Sequence, residues 1–257
     1  MTLNLLAISV GNTRTKMGAV VEGKLAAATS VENSEASLLG SGQSEALTAL
    51  EGLENWTVLV ASVNPPVLRR VRRELAATLP ETKVYRIEED FPVPIGRQLD
   101  PETIVGDDRL LNAAAAFDTV KQACVVVDAG TALTVDFVDG AGTFHGGAIC
   151  PGFRLMLQSL HEHTSQLPEV TQGRPIEAIG HNTAEAMRSG AFHGIRGVVR
   201  ELTEKFAESV GAYPLVVATG GDAELLFGDY DLVDRVVPDL VLLGLAVTMK
   251  AAISTDG

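Results

Sequence analysis

Two stretches of this chain, 119 residues apart, carry one pattern. Leu6-Ala7-Ile8-Ser9-Val10-Gly11-Asn12-Thr13 lies over Val125-Val126-Val127-Asp128-Ala129-Gly130-Thr131-Ala132, so that Ser9 falls on Asp128 and Gly11 on Gly130. Each stretch is a short apolar run closed by a glycine turn, which reads as a buried strand. A second strand follows (Thr15 to Val21, and Leu133 to Val138), then a tight turn (Glu22-Gly23, and Asp139-Gly140). A third strand follows that (Leu25 to Thr29, and Thr143 to Ile149). Three strands and two turns recurring at about half the chain length point to a duplicated α/β domain. The halves are expected at residues 1–118 and 119–257.

The remaining chain fills in around these units. Trp56 to Ser62, Val84 to Ile87 and Leu215 to Ala218 read as strands, and 31–52 as loop followed by helix. Phe91 to Pro101 is irregular. Pro65-Pro66 opens a helix, and Asp107 to Phe117 has strong helix formers behind an acidic start. Further helices are expected at Phe153 to His163, from Thr183 to Gly190, at Val198 to Val210 and at Asp222 to Phe227. A last helix, Pro238 to Ile253, is expected to pack on the second lobe.

Hydrophobic residues make up 46% of the 257, enough for a sizeable core. The formal charge of −13 repels nucleic-acid backbones but leaves room for a small anion held by backbone N–H groups. Cys124 and Cys150 lack metal or disulfide spacing and read as small core residues. No run reaches the roughly 20 apolar residues a bilayer span needs, and the N-terminus lacks a basic leader. The expectation is a cytoplasmic protein with neither nucleic-acid nor membrane partners.

Three glycine turns could carry chemistry. In Ser9-Val10-Gly11-Asn12-Thr13-Arg14-Thr15-Lys16, Gly11 admits a ligand close to the backbone, and Thr13, Thr15 and Lys16 offer donors to phosphate oxygens. Taken alone, this is also what a solvated hairpin looks like; the second copy at Asp128-Ala129-Gly130-Thr131 favours phosphate. Thr219-Gly220-Gly221 sits at a strand-to-helix junction where an adenine ring could lie on bare backbone, or it is a plain turn before a helix. Asp107 and Asp108 are neighbours at a helix start, where side chains diverge, so a shared-proton pair is not expected. Arg69 to Arg73 reads as a solvated face, and His161-Glu162-His163 has the wrong spacing for zinc on a helix.

Together these features resemble the sugar kinase, heat-shock chaperone and actin superfamily, and within it the type III pantothenate kinases. Ser9 to Lys16 is similar to that family's first phosphate motif, D-x-G-N-T-x-x-K. Gly106-Asp107-Asp108-Arg109 resembles its G-x-D-R segment, and Asp128 to Ala132 its second phosphate motif. Gly146 to Gly152, Leu167-Pro168, Gly180-His181-Asn182-Thr183 and Thr219-Gly220-Gly221 follow in the same order. The resemblance implies two ribonuclease-H-like (actin-like ATPase) domains with a cleft between two lobes. It also implies ATP-dependent phosphorylation of pantothenate to 4′-phosphopantothenate, the first step of coenzyme A biosynthesis.

The resemblance further implies roles. Asp108 would be the catalytic base. Ser9, Val10, Gly11, Asn12, Thr13, Arg14, Thr15, Lys16, Thr131, Gly220 and Gly221 would bind ATP. Gln98, Gly106, Asp107, Asp108, Arg109 and Thr183 would bind pantothenate, Thr183 from the partner of a homodimer. Mg2+ would accompany ATP, and Asp128 would hold a monovalent cation, K+ or NH4+. Two positions depart from the pattern. Ser9 stands where the family has Asp, and Gln98 where it has Tyr. These departures leave a catalytically weakened binding or regulatory protein as the alternative, with a sugar or acetate kinase as a third reading. Ser9→Asp is expected to raise activity or Mg2+ affinity unless another group already replaces the missing carboxylate.

Overall fold

The computed structural model describes residues 3–255, with the side chains of residues 41–44 and 255 left aside. Eleven strands and seven helices run in the order β1 (Leu5–Val10), β2 (Arg14–Val21), β3 (Lys24–Glu32), α1 (Leu38–Thr48), β4 (Thr57–Ser62), α2 (Pro65–Thr78), β5 (Val84–Arg86), β6 (Gly96–Arg97), α3 (Asp107–Val120), β7 (Cys124–Ala129), β8 (Ala132–Val138), β9 (Thr143–Pro151), α4 (Phe153–Glu162), α5 (Thr183–Val210), β10 (Leu215–Thr219), α6 (Ala223–Phe227), β11 (Arg235–Val236) and α7 (Leu240–Thr255).

The two sheets repeat one topology. In the first, ordered β3-β2-β1-β4-β5, the β1–β3 meander is antiparallel while β4 runs parallel to β1 and β5 to β4. In the second, β9-β8-β7-β10-β11 has the same order and directions, with β6 added beyond β9. This is the ribonuclease-H-like order twice over, so the duplication read from the glycine turns is real. The two hairpins differ in length, however. Val10 pairs Thr15 across four residues, whereas Ala129 pairs Leu133 across three. Lys16, the partner of Ser9, therefore corresponds to Thr134, the partner of Asp128.

The chain divides into two compact units: residues 1–96, 100–119 and 239–257, and residues 97–99 with 120–238. The final helix is the correction. The sequence places it on the second lobe, but α7 packs against β1, β2 and β4 of the first unit. Leu6, Ile8 and Val10 join a core with α1 and α2 residues such as Leu38, Leu68 and Val71. By strand alternation Leu5, Ala7 and Ser9 face the other way, and this second face is the one α7 covers. Leu242 reaches Gly18, and Gly244 lets the helix backbone press on Leu111 O of α3, where a Cβ would lie 2.3 Å away.

The second correction concerns α5. Two helices are expected here, one from Thr183 to Gly190 and one over Val198 to Val210, and the glycines at 190, 194 and 197 between them each cost about 1 kcal/mol relative to alanine in a helix interior. The structure has one helix of 28 residues, capped by Asn182 and ended by left-handed Gly211. Its buried stripe, Met187, Ala191, Ile195, Val199 and Thr203, advances four residues at a time through the glycines without losing phase. Core burial outweighs local propensity. Arg70 also leaves the expected solvated face, donating to Asn33 O and Glu35 O. Cys124 is a core residue as expected, its thiol pushed up to about 12 by burial.

Candidate active site

In the first unit β1 ends at Val10, and Gly11 N donates to Arg14 O at 3.0 Å, leaving Asn12 and Thr13 at the tip of the turn. A residue that local pattern does not single out shapes this turn. Asn33, just past β3, donates from Nδ2 to Gly11 O (2.9 Å) and Asn12 O (3.1 Å). Its Oδ1 accepts from the Thr15 hydroxyl at 2.8 Å, and its backbone N–H donates to Thr13 O at 2.9 Å. Asn33 thus ties both arms of the hairpin together. Deleting its three side-chain bonds, at about 0.5–1.5 kcal/mol each, should cost roughly 2–4 kcal/mol of unfolding free energy. Urea unfolding of Asn33→Ala measures this, and a variant within about 0.5 kcal/mol of wild type would contradict the assignment.

Three side chains of this motif already have partners within the fold. The Thr15 side chain is fully buried and its hydroxyl is committed to Asn33, so it shapes the turn instead of offering a donor. Arg14 turns across β3, donating to the hydroxyl and carbonyl of Ser30 and pairing with Glu32 at 3.1 Å. Lys16 pairs with Asp239 at 2.8 Å. Val10 is a core side chain and Ser9 is almost as buried, so the motif presents Asn12 and Arg14 as exposed residues, with Gly11, Thr13 and Lys16 partly exposed.

The start of α3 stands at the same edge of this sheet. Ser62, the parallel register partner of Val10, donates its N–H to Asp107 Oδ2 at 3.3 Å. Asp108 points elsewhere, its Oδ1 accepting from Arg109 N at 2.8 Å. The two carboxylates have separate partners, as expected for neighbours on a helix. Burial pushes both carboxyls above the ordinary range. The Arg109 N–H and guanidinium oppose this for Asp108, and the Ser62 N–H and Arg86 oppose it for Asp107. Gly106 leaves this carboxylate its present orientation, since a Cβ there would lie 2.6 Å from Asp108 Oδ1. The result is a half-buried carboxylate, more basic than a surface one, at the carboxyl end of parallel strands, where open α/β sheets bind ligands.

In the second unit three glycine segments converge. Gly130 N donates to Ala132 O, and Gly152 N to Thr131 O, both at 3.1 Å. A Cβ on Gly152 would lie 2.1 Å from Gly130 O. Gly220, at φ +101°, lies over the end of β7, where a Cβ would be 2.5 Å from both Ala129 O and Asp128 Oδ1. Asp222 N donates to Ala129 O at 3.0 Å. The structure therefore brings Asp128, Thr131, Gly220 and Gly221 into one neighbourhood. Asp222 belongs to it as well. Burial raises its carboxyl, while Gln172 Nε2 donates to it at 2.7 Å and Arg154 draws it back. Thr183 is exposed at the first turn of α5. Gln98 is exposed next to β6, its N–H on Phe144 O.

Among the described residues no three His, Cys, Asp or Glu side chains converge as a metal cage. The available oxygen donors are single carboxylates, such as Asp108 in the first unit and Asp128 in the second. A single carboxylate fits Mg2+, which keeps much of its water and takes one or two carboxylates together with substrate phosphates. An open cavity of ≈ 490 Å3 in the second unit, lined by Glu224, Asp229, Asp231 and Asp234 among others, contains none of the sequence candidates except by proximity to α6, and its acids disfavour phosphate. No helix of the described residues is long and apolar enough to cross a membrane.

Several known proteins resemble this chain in sequence or fold. Residues 5–205 match the family described as Type III pantothenate kinase. A Type III pantothenate kinase of Rhodospirillum rubrum is 38% identical over 250 residues, 95% of this chain and 96% of that protein. One from Syntrophotalea carbinolica is 33% identical over 252 residues, 95% and 97% of the two chains. Among solved structures, a conserved putative Baf family transcriptional activator from Campylobacter jejuni superposes with a TM-score of 0.58 at 20% identity, covering 98% of both chains. The (R)-2-hydroxyglutaryl-CoA dehydratase component A of Acidaminococcus fermentans superposes with a TM-score of 0.55 at 17% identity, covering 98% of this chain and 100% of that one. The structural likenesses speak to fold alone. The sequence matches, running nearly end to end, decide membership: this chain belongs to the type III pantothenate kinase family.

Proposed function

We propose that this protein transfers the terminal phosphoryl group of ATP to the primary hydroxyl of pantothenate, giving 4′-phosphopantothenate and ADP at the entry to coenzyme A biosynthesis. The observation that carries the reading is Asp108. It is a half-buried carboxylate with a raised pKa, given room by Gly106 at the start of α3, in a chain that relatives named for this activity match almost end to end. Those relatives do not favour a purely binding role.

Phosphoryl transfer asks the protein mainly for in-line positioning and charge neutralisation. The pantothenate hydroxyl oxygen forms a bond to the γ-phosphorus as the bond from that phosphorus to the β,γ-bridging oxygen breaks. The hydroxyl proton passes to Asp108, and ADP leaves with the bond's electron pair. Burial makes the Asp108 carboxylate a better proton acceptor than an exposed aspartate. Arg109 suits the pantothenate carboxylate, since its fork of donors matches two oxygens; Gly106, Asp107, Gln98 and Thr183 complete the acceptor contacts. The Gly11–Thr13 backbone, Lys16, Thr131, Gly220 and Gly221 hold ATP. A divalent cation, when bound, neutralises charge on the phosphates, and Asp128 would take the monovalent cation. The working form would be a homodimer in which Thr183 serves the neighbouring subunit.

A coupled ADP-release assay with pantothenate, Mg2+ and K+ tests this. Turnover that requires pantothenate and falls when K+ is withdrawn is expected. A rate no higher than that of an Asp108→Asn control would overturn the enzyme reading.

A further inference from the structure

The first hairpin departs from the chain's own repeat at one position. The second copy has the carboxylate of Asp128 next to last in its first strand, whereas the first copy has the hydroxyl of Ser9. The Cα partner of Ser9 across the hairpin is Lys16, so both side chains leave the sheet on one face. Ser9 is buried there, at 7% exposure, and Lys16 is half-buried. A carboxylate at position 9 would be the nearest counter-charge for that ammonium. The structure supplies one from the far end of the chain instead: Asp239 Oδ1 lies 2.8 Å from Lys16 Nζ, both side chains being only about a quarter exposed.

The placement of Asp239 depends on long-range packing. It precedes α7 in a left-handed conformation, φ +55°, that few residues other than glycine adopt, and its carbonyl accepts from Leu242 N and Leu243 N. The helix behind it is pinned by Leu242 against Gly18 and by Gly244 against the backbone of α3. Gly18 and Lys16 stand on the same face of β2, two residues apart, so the packing that seats Leu242 also carries Asp239 to Lys16.

We infer that Asp239 is the carboxylate this chain uses in place of the one absent at position 9, a positioning residue that fixes the Lys16 ammonium beside the first glycine turn for contact with nucleotide phosphate. The inference rests on the ATP-binding reading of that turn. A lysine held in one orientation loses less freedom when the phosphate arrives, which shows as affinity. It also makes the C-terminal helix part of the nucleotide site.

The test compares wild type with Asp239→Asn, Asp239→Ser and the double variant Ser9→Asp/Asp239→Asn. Each is read by equilibrium titration of Mg2+-ATP, by KM and kcat, and by circular dichroism for folding. Asp239→Asn and Asp239→Ser should each weaken ATP binding about 10-fold, chiefly in KM and not in kcat. The double variant should recover most of that loss, because a carboxylate at 9 again faces Lys16. Asparagine tolerates the left-handed backbone at 239, and both variants keep the carbonyl that accepts from Leu242 N and Leu243 N, so a loss shared by the two reports the missing carboxylate, and whichever variant stays folded carries the comparison. Wild-type affinity in Asp239→Ser, or a folded double variant with no recovery, would overturn the inference. The titration needs no pantothenate. Binding of ATP without pantothenate turnover would overturn the kinase reading while the Asp239 comparison still stands.

Discussion

Asp108→Asn is expected to lower kcat with pantothenate by about 10²- to 10⁴-fold, the range ascribed to a positioned general base, while the protein stays folded. The substitution keeps an oxygen that can accept from Arg109 N and removes only the ability to take a proton. Stability should move the other way from activity. Burial raises the Asp108 carboxyl above its unfolded value, so the folded state holds the proton to higher pH than the unfolded chain does. Such a group favours folding below its unfolded pKa, and that contribution is lost as pH rises through the folded pKa. Once ionised, the half-buried carboxylate therefore opposes folding, and above that titration the neutral amide should melt at the same temperature or higher. The same ionisation predicts that kcat/KM for pantothenate falls on the acid side through titration above the ordinary aspartate range. A variant that keeps wild-type kcat would remove Asp108 from the chemistry. One that loses activity together with folding would make it a structural residue.

Gly220→Ala is expected to destabilise the second unit strongly, on two counts. At φ +101° an L side chain is strained by roughly 1–3 kcal/mol. The new Cβ would also lie 2.5 Å from Ala129 O and Asp128 Oδ1, so the β10 turn or the end of β7 must shift. Overpacking of this kind adds roughly 1–3 kcal/mol, for a total of about 2–6 kcal/mol. Gly221 is the internal comparison, since a Cβ there meets nothing within 4 Å, and Gly221→Ala should unfold near wild type. Urea titration of the two variants checks the contrast. Equal midpoints would show that the 128–131 and 219–221 turns are not packed as described.

Much of this architecture is legible in the sequence because it is written locally. β1 runs over Leu5–Val10 as the apolar run and its glycine imply, and the meanders of both sheets follow from strand lengths and turn residues. The helix start at Asp107 is likewise local, being acidic residues ahead of leucines and alanines. What sequence reading misses is decided by distant partners. Nothing near Asn33 announces that it will hold Gly11, Asn12 and Thr15, because those contacts form only when β3 returns beside β2. Glycines at 190, 194 and 197 argue for a break that the four-residue stripe of α5 overrides. Pro238 and the apolar run after it announce a helix, but not which sheet has a face left uncovered. Lys16 and Thr15 are identified as polar donors, yet their partners at 239 and 33 lie 223 and 18 residues away and change what each can do.

In the proposed reaction a phosphoryl group passes from ATP to the primary hydroxyl of pantothenate, with Asp108 taking the proton. Mass spectrometry and 31P NMR of pantothenate incubated with ATP, Mg2+, K+ and either wild type or Asp108→Asn read this most directly. A phosphomonoester on the primary hydroxyl is expected with wild type, in step with ADP, and almost none with the folded variant. ADP formed without phosphorylated pantothenate, or equal product from both proteins, would contradict it.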